Sequence, residues 1–331
     1  MGVDECLPWH MAPWQQLWQR HAAGRLPHAL LLAGPAGLGK GVFARRLIRA
    51  LLCTQVDAEG KACGLCRGCR LVQAGSHPDV QVLQPEEEGK PIKIDAVREL
   101  CIFLGCTAQY GGYKVALLEP ADRLNVNAAN SLLKTLEEPP GNSLLLLVSD
   151  RPARLPATVR SRCQRIDFAP PPLASARDWL APRIPAAIDP VVLLAIVGGA
   201  PLAALAQANG ARWARRRTLF EAYRQTLAGS ADPVCVAQDW MQGDLSENLR
   251  WLIGWHHDLI RLKMMSDPPR LDNPDLRPVL QEWARQHASR TLFERLDAAM
   301  RLRAVCATTQ VNVQMQLEAF LGGGGARDDL P

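Results

Sequence analysis

The sequence predicts an α/β fold with a parallel sheet in its first half. The apolar run ALLLA at 29–33 leads into a glycine-rich stretch and then into an amphipathic helical pattern at 42–52, which gives a strand-loop-helix order. Two further apolar runs, 115–118 and 144–148, flank a helical pattern near 127–137. Strands that alternate with helices in this way are typical of a parallel sheet covered by helices.

A domain boundary is predicted at the proline cluster APPPLA after Phe168, because only helical patterns follow it. We expect a first domain over 1–168, a small helical domain rich in alanine and leucine over 169–209, and a longer helical domain over 210–321. The glycine-rich end at 322–331 is predicted to be a flexible tail. Three tryptophans are expected to help fill the core of the longer helical domain: Trp240, Trp251 and Trp255.

The composition is that of a folded chain, with 48% hydrophobic and 21% charged residues. A net charge of +5 is modest and does not by itself indicate nucleic-acid binding, although five arginines lie between 151 and 165. The apolar run 190–206 is interrupted by Gly198-Gly199 and Pro201, and the N-terminus lacks the pattern of a signal peptide. We therefore expect no membrane span and a cytoplasmic location.

A phosphate-binding loop is predicted between the first strand and the first long helix. The segment GPAGLGKG at 34–41 matches the pattern G-x-x-x-x-G-K but lacks the Ser or Thr that should follow it. Its glycines let backbone N–H groups close around phosphate at a helix N-terminus, and Lys40 is placed to reach the terminal phosphates. Gly41 has no hydroxyl to hold Mg²⁺. The loop thus permits nucleotide binding but argues against efficient hydrolysis.

An ATPase of this kind also needs acids at the end of a second strand. Here that strand ends in Glu119, which occupies the metal-side position, and Pro120, which stands where a catalytic acid is expected. Proline has no ionisable group, so a second catalytic element is missing. The candidate nucleotide-binding residues are Gly34, Gly37, Gly39, Lys40, Gly41 and Glu119.

Four cysteines form the strongest chemical signal in the sequence. Their spacing is C-x9-C-x2-C-x2-C, and they are Cys53, Cys63, Cys66 and Cys69. Four thiolates close a tetrahedral zinc site with no open position, and such a site stabilises a fold without doing chemistry. In a reducing compartment a metal is favoured over a disulfide framework. An iron–sulfur cluster and four unligated thiols are the alternatives.

Several motifs together resemble the clamp-loader branch of the AAA+ ATPases. They are GPAGLGKG, the four-cysteine insert after the first helix, NSLLKTLEEPP at 130–140, and Ser161-Arg162-Cys163. The resemblance covers essentially the whole chain. It implies an AAA+ parallel-sheet P-loop domain with a zinc module inserted at about 53–69, followed by a small helical lid domain and an all-helical collar domain.

The same resemblance implies a subunit that does not hydrolyse ATP itself. The active gamma/tau subunits of this branch carry Ser or Thr after the loop lysine, an acidic pair at the second strand, and an arginine in the lid. The matching residues here are Gly41, Glu119-Pro120 and Leu202. The resemblance also implies that Arg162 is an arginine finger, which reaches in trans to ATP and Mg²⁺ bound by a neighbouring subunit.

The implied partners are the gamma/tau and delta subunits, in a pentameric ring that loads a sliding clamp onto primed DNA. Such a chain belongs to a DNA-directed DNA polymerase complex, although no residue constellation here indicates nucleotidyl transfer. One alternative is an active ATPase of the gamma/tau kind, since Lys40 and the loop glycines survive. A second is a zinc-dependent nucleic-acid-binding module, in which Lys61, Arg67 and Arg70 flank the cysteines.

Overall fold

A computed structural model describes residues 6–87, 90–208, 210–308 and 312–323. The chain divides into two compact units, Met1–Pro171 and Pro172–Pro331. The sequence predicts the first boundary after Phe168. The further division at 209/210 stays a prediction, and most of the predicted tail, 324–331, lies outside the described residues.

The first unit contains one parallel sheet, as the sequence predicts. Its strands are β1 (Ala29–Ala33), β2 (Val80–Leu83), β3 (Lys114–Leu118), β4 (Ser143–Ser149) and β5 (Gln164–Asp167). The order is β2-β3-β4-β1-β5, and all four neighbouring pairs are parallel. The three central strands are buried at every position, which is why they read as continuous apolar runs.

The helices of the first unit pack on the sheet, and two of them adjoin the loops described in the next subsection. They are α1 (Met11–Ala22), α2 (Lys40–Leu51), α3 (Arg67–Gln73), α4 (Ile94–Gly105), α5 (Val126–Ser131), α6 (Leu133–Glu137) and α7 (Ala157–Arg160). The helical pattern predicted near 127–137 is broken at Leu132 into α5 and α6. Leu132 and Leu136 turn inward and join the core against β3 and β4.

The described residues of the second unit form helices and no strands. They are α8 (Leu173–Leu180), α9 (Pro190–Ile196), α10 (Pro201–Gln207), α11 (Gly210–Leu227), α12 (Pro233–Met241), α13 (Leu245–Met264), α14 (Arg277–Gln286), α15 (Ser289–Thr308) and α16 (Val313–Leu321). The three tryptophans expected in the core are all buried there.

Within the described ranges no single helix is long and apolar enough to cross a membrane. The helices α9 and α10 reach that length and composition only as a pair, which is bent by 107°.

Candidate functional site

The glycine-rich loop has the shape that the sequence predicts. It follows β1, and α2 begins at Lys40 with Gly39 as its N-cap at φ 82°, a left-handed conformation that glycine adopts without strain. At Gly34 a Cβ atom would lie 2.1 Å from the backbone oxygen of Phe168, so only glycine fits this turn. The loop backbone is therefore that of a phosphate-binding loop.

The lysine of this loop already has partners within the chain. Its Nζ atom lies 2.6 Å from Oδ1 of Asp150 and 2.6 Å from the carbonyl oxygen of Pro35. The side chain is 3% exposed, whereas that of Asp150 is 44% exposed. Lys40 is thus folded back onto its own loop, and a carboxylate takes the place of a phosphate as its anion.

A second ion pair fills the position where a hydroxyl would hold a metal ion. Arg45 Nη2 lies 2.7 Å from Glu119 Oε2. A Cβ atom added at Gly41 would lie 2.0 Å from Glu119 Oε1 and 2.8 Å from Arg45 Nη1. A serine or threonine side chain at position 41 would therefore meet this pair. Glu119, which the sequence predicts as the metal-side acid, is thus paired with an arginine.

The segment before α1 also holds the loop, and sequence reasoning missed this contact. Trp9 Nε1 donates a 2.9 Å hydrogen bond to the carbonyl of Leu38, and His10 Nε2 lies 2.8 Å from the same oxygen. Burial, together with the charge of Arg46, lowers the pKa of His10 to about 4 despite the bond to Leu38. A neutral imidazole with its Nε2 proton is the form that suits this acceptor. Only the aromatic residues in PWH could have signalled the contact.

Arg162 lies in the turn after α7, at the end of the sheet where the strands begin, whereas the glycine-rich loop lies at the end where β1 finishes. These two ends of the strands are called the Arg162 edge and the loop edge below. Leu30 of β1 pairs with Gln164 of β5 in parallel, so the loop follows the end of β1 while Arg162 precedes the start of β5. Gly34 is four residues beyond Leu30, which corresponds to about 13 Å along the strand. Arg162 is therefore far from the loop of its own chain.

The guanidinium of Arg162 is accessible and held by two neighbours. Its Nη2 atom lies 2.6 Å from Oε1 of Glu137, and Nη1 donates a 2.9 Å bond to the carbonyl of Thr158. The side chain is 36% exposed. Burial raises the pKa of the adjacent Cys163 to about 12, so that thiol stays protonated and packed. Another arginine of the same edge, Arg165, pairs with Asp167.

The four predicted metal ligands come together at the end of α2. Their Sγ atoms all lie within 4.8 Å of one another. Cys53 follows α2, Cys66 caps the N-terminus of α3, and Cys69 lies in its first turn. Backbone N–H groups of Gln55 and Cys63 point at the Cys53 sulfur at 3.3 and 3.2 Å. Such donors favour thiolates, so the set fits a structural zinc ion.

The four thiols differ in how readily they ionise. Burial opposes ionisation of Cys66, but hydrogen bonds from the backbone of Cys69 and Thr54 lower the pKa of its thiol to about 6. Burial raises the pKa of the Cys69 thiol to about 12. The four sulfurs therefore do not ionise together by themselves, and a bound divalent ion would supply the charge that lets them do so.

Two tryptophans of α1 fasten the cysteine module to the rest of the unit. Trp14 Nε1 donates to the carbonyl of Glu59 at 2.8 Å, and Trp18 Nε1 donates to that of Ala58 at 3.1 Å. A Cβ at Gly60 would lie 2.5 Å from the Trp18 ring, so this loop needs glycine. The cysteine spacing does not reveal these anchors, which are 40 and 45 residues away in sequence.

The basic residues around the cysteines are partly engaged. Arg70 Nε donates to the carbonyl of Leu65, and the Arg67 guanidinium lies 5.2 Å from the ring centre of Tyr110. Lys61 is exposed.

In the second unit, Leu202 is the second residue of α10. The resemblance to clamp loaders matches this residue to the lid position where active subunits carry an arginine.

A five-stranded parallel sheet, a glycine-rich loop between β1 and α2, and a helical second unit define an AAA+ nucleotide-fold protein. Two family descriptions match the chain: "DNA polymerase III, delta subunit" at residues 9–172, and "DNA polymerase III, delta subunit, C terminal" at 210–322. The DNA polymerase III subunit delta' of Pseudomonas aeruginosa is 39% identical over 96% of this chain and 97% of that protein. The chain belongs to this delta' family.

Two further comparisons concern other subunits of the same polymerase. The DNA polymerase III subunit tau of Bacillus subtilis is 33% identical over 44% of this chain and 25% of that protein. A solved DNA polymerase III gamma subunit-related protein from Thermotoga maritima covers 93% of this chain and 97% of its own length. It has 16% identity and a TM-score of 0.47.

Proposed function

We propose that this chain is a clamp-loader subunit that hydrolyses no ATP itself and supplies Arg162 in trans to the ATP site of a neighbouring gamma/tau subunit. It acts in DNA replication, in a pentameric ring with gamma/tau and delta in the cytoplasm. That ring places the sliding clamp on primed DNA. The proposal extends family membership to a specific role for one residue.

One observation carries the proposal: Arg162 is exposed at the edge of the sheet opposite to the phosphate loop of its own chain. A guanidinium at that edge is too far from its own loop to reach a phosphate there, so any phosphate that it contacts belongs to another molecule. Arginine suits such a role because it is permanently charged and offers a planar fork of donors. Where an arginine finger has been dissected, its loss costs about 10³ to 10⁵ in rate.

The chain's own loop supports the part of the proposal that concerns hydrolysis. Lys40 is committed to Asp150, and the Arg45–Glu119 pair fills the space beside Gly41. A nucleotide would have to displace the Asp150 carboxylate and still find no hydroxyl for its Mg²⁺. These contacts argue against the alternative of a self-contained ATPase of the gamma/tau kind.

The metal in this proposal is a structural Zn²⁺ held by the four cysteines. With four protein ligands a zinc ion has no open position for a substrate, so its contribution is to the fold. In a metal-replete preparation, elemental analysis is expected to give about one equivalent of zinc per chain. A value far below one would exclude the assignment.

The experiment compares steady-state ATP hydrolysis by the purified chain, by the reconstituted ring on primed DNA with clamp, and by rings carrying Arg162→Ala or Arg165→Ala. Arg165 is a matched control, because it is exposed on the same basic edge and pairs with Asp167. We expect no turnover by the chain alone, a loss of most activity at one site with Arg162→Ala, and little change with Arg165→Ala. Lys40-dependent turnover by the isolated chain would overturn the proposal.

A further inference from the structure

Glu137 makes the closest contact to the guanidinium of Arg162, at 2.6 Å from Oε1 to Nη2. We infer that Glu137 is a positioning residue, which holds that guanidinium in the orientation in which it meets the phosphates of the neighbouring subunit. This inference rests on the proposed function, because it concerns the same finger. It assigns a role to the glutamate that ends α6.

Both partners of the pair stand on fixed backbone. Glu137 follows Leu136, which is 3% exposed and whose carbonyl lies 3.1 Å from Nε2 of His28 at the start of the sheet. The N–H of Arg162 donates to the carbonyl of Val159, a fully buried residue of α7. An ion pair between two freely moving surface side chains would define no orientation. Here each side chain starts from a turn that is anchored in the core.

The pair leaves part of the guanidinium free for a phosphate. An arginine has five N–H donors in a fixed plane. Glu137 takes one on Nη2, and Nη1 contacts the Thr158 carbonyl at 2.9 Å and the Ser161 hydroxyl at 3.5 Å. The Nε donor and the second Nη2 donor remain available, so Glu137 and a phosphate can bind together. Because these acceptors already fix the plane, less side-chain freedom is lost when the phosphate binds.

Exposure limits the size of the effect. Arg162 and Glu137 are 36% and 51% exposed, so water and salt screen the attraction between them. A pair of this kind corresponds to a change of about two- to fivefold in a rate. Glu137 therefore has a smaller influence on the rate than Arg162 itself. It affects the catalytic step, whereas ATP binding depends on the neighbour's own residues.

The test measures kcat and KM for ATP in the reconstituted ring with Glu137→Ala, Glu137→Gln and the control Glu138→Ala. Glu138 is the next acid in the chain and makes none of the ion pairs found among the described residues. We expect Glu137→Ala to lower kcat by about two- to fivefold with KM unchanged. Glutamine keeps an acceptor oxygen and should restore most of the rate, and Glu138→Ala should have no effect.

A ring that carries Arg162→Ala separates this inference from the proposed function. In that background Glu137→Ala should cause no further loss, because its effect passes through the arginine. If Arg162→Ala lowers the rate but Glu137→Ala leaves kcat unchanged or raises it, Glu137 is not a positioning residue. If Arg162→Ala itself changes nothing, the proposed function fails.

Discussion

The cations at the loop edge and at the Arg162 edge of the parallel sheet differ in burial and in pairing. At the edge beyond β1, Lys40 is buried and paired with Asp150, and Glu119 is paired with Arg45. At the edge before β5, Arg162 is accessible, and two contacts hold it without covering it. At the first edge the charges are paired within the chain, whereas at the second the guanidinium of Arg162 stays accessible.

This difference shows that a nucleotide fold keeps the shape of its loop while the charged side chains around the loop pair with one another. The loop glycines and the lysine remain, yet Lys40 is paired with the Asp150 carboxylate and Glu119 is paired with Arg45. The bond from Lys40 to the Pro35 carbonyl and the contacts from Trp9 and His10 to Leu38 hold that arrangement. Under the proposed function the edge with Arg162 needs no such closure, because its ligand would come from a neighbouring subunit.

The largest expected effect is that of zinc removal, which should unfold the cysteine module and leave the turn that carries Arg162 intact. Chelation should remove hydrogen-exchange protection from 53–73 and from α1, because Trp14 and Trp18 join that helix to the cysteine module. Binding of structural zinc corresponds to on the order of 10 kcal/mol in small zinc-finger peptides. The turn at 157–163, which carries Arg162, should keep its protection. Equal loss at both places would show that the Arg162 turn depends on the cysteine module for its stability.

The next effect is a pH dependence of stability centred on His10. Its folded pKa lies at about 4, below the ordinary 6.5, so the unfolded chain takes up a proton at a higher pH than the folded one. Stability is therefore greatest above pH 6.5 and falls as the pH drops toward 4, by on the order of 3 kcal/mol. Urea unfolding at pH 7 and pH 4 measures the change.

His10→Gln is the control for this prediction, because the amide can still donate to Leu38 but does not titrate. A second buried histidine, His256, has a pKa lowered to about 3 by burial and by the charge of Arg295, and it adds a loss of the same sign. The difference in pH slope between wild type and His10→Gln therefore isolates the loop contact. Identical slopes would mean that His10 takes up its proton at the same pH in the folded and the unfolded chain.

The smallest effect concerns the missing hydroxyl. Gly41→Ser should push Glu119 away from Arg45, and because that pair is partly exposed the cost in unfolding free energy is about 1 kcal/mol. The serine should not create ATPase activity, because Lys40 stays paired and Pro120 supplies no acid. Thermal unfolding and an ATPase assay of the isolated variant check both parts. Turnover by this variant would show that one hydroxyl is all that the loop lacks.

Much of this arrangement could be predicted from local sequence. β1, β3 and β4 are continuous apolar runs because both of their faces are buried, and the loop and the cysteines follow fixed spacings. The two outer strands, β2 and β5, were not predicted, since VQVL and QRID mix exposed and partly buried positions. Hydrophobic patterns of period two or of full burial are weak in the outer strands of a sheet.

The partners of the site residues could not be predicted, because they are distant in sequence. Asp150 is 110 residues from Lys40, and Arg45 is 74 residues from Glu119. Neither partner belongs to a motif. The role of Arg162 came from the resemblance of SRC to clamp loaders, while the contact with Glu137 required the turn between α6 and α7 to be placed in space.

The most direct test of the contrast between the edges is steady-state ATP hydrolysis by two reconstituted rings, one with Lys40→Met and one with Arg162→Met in this chain. If the loop edge is closed and the Arg162 edge serves the neighbour, the first ring stays within about twofold of wild type, and the second loses most of the turnover at one site. A ring that is impaired by Lys40→Met but not by Arg162→Met would contradict the account.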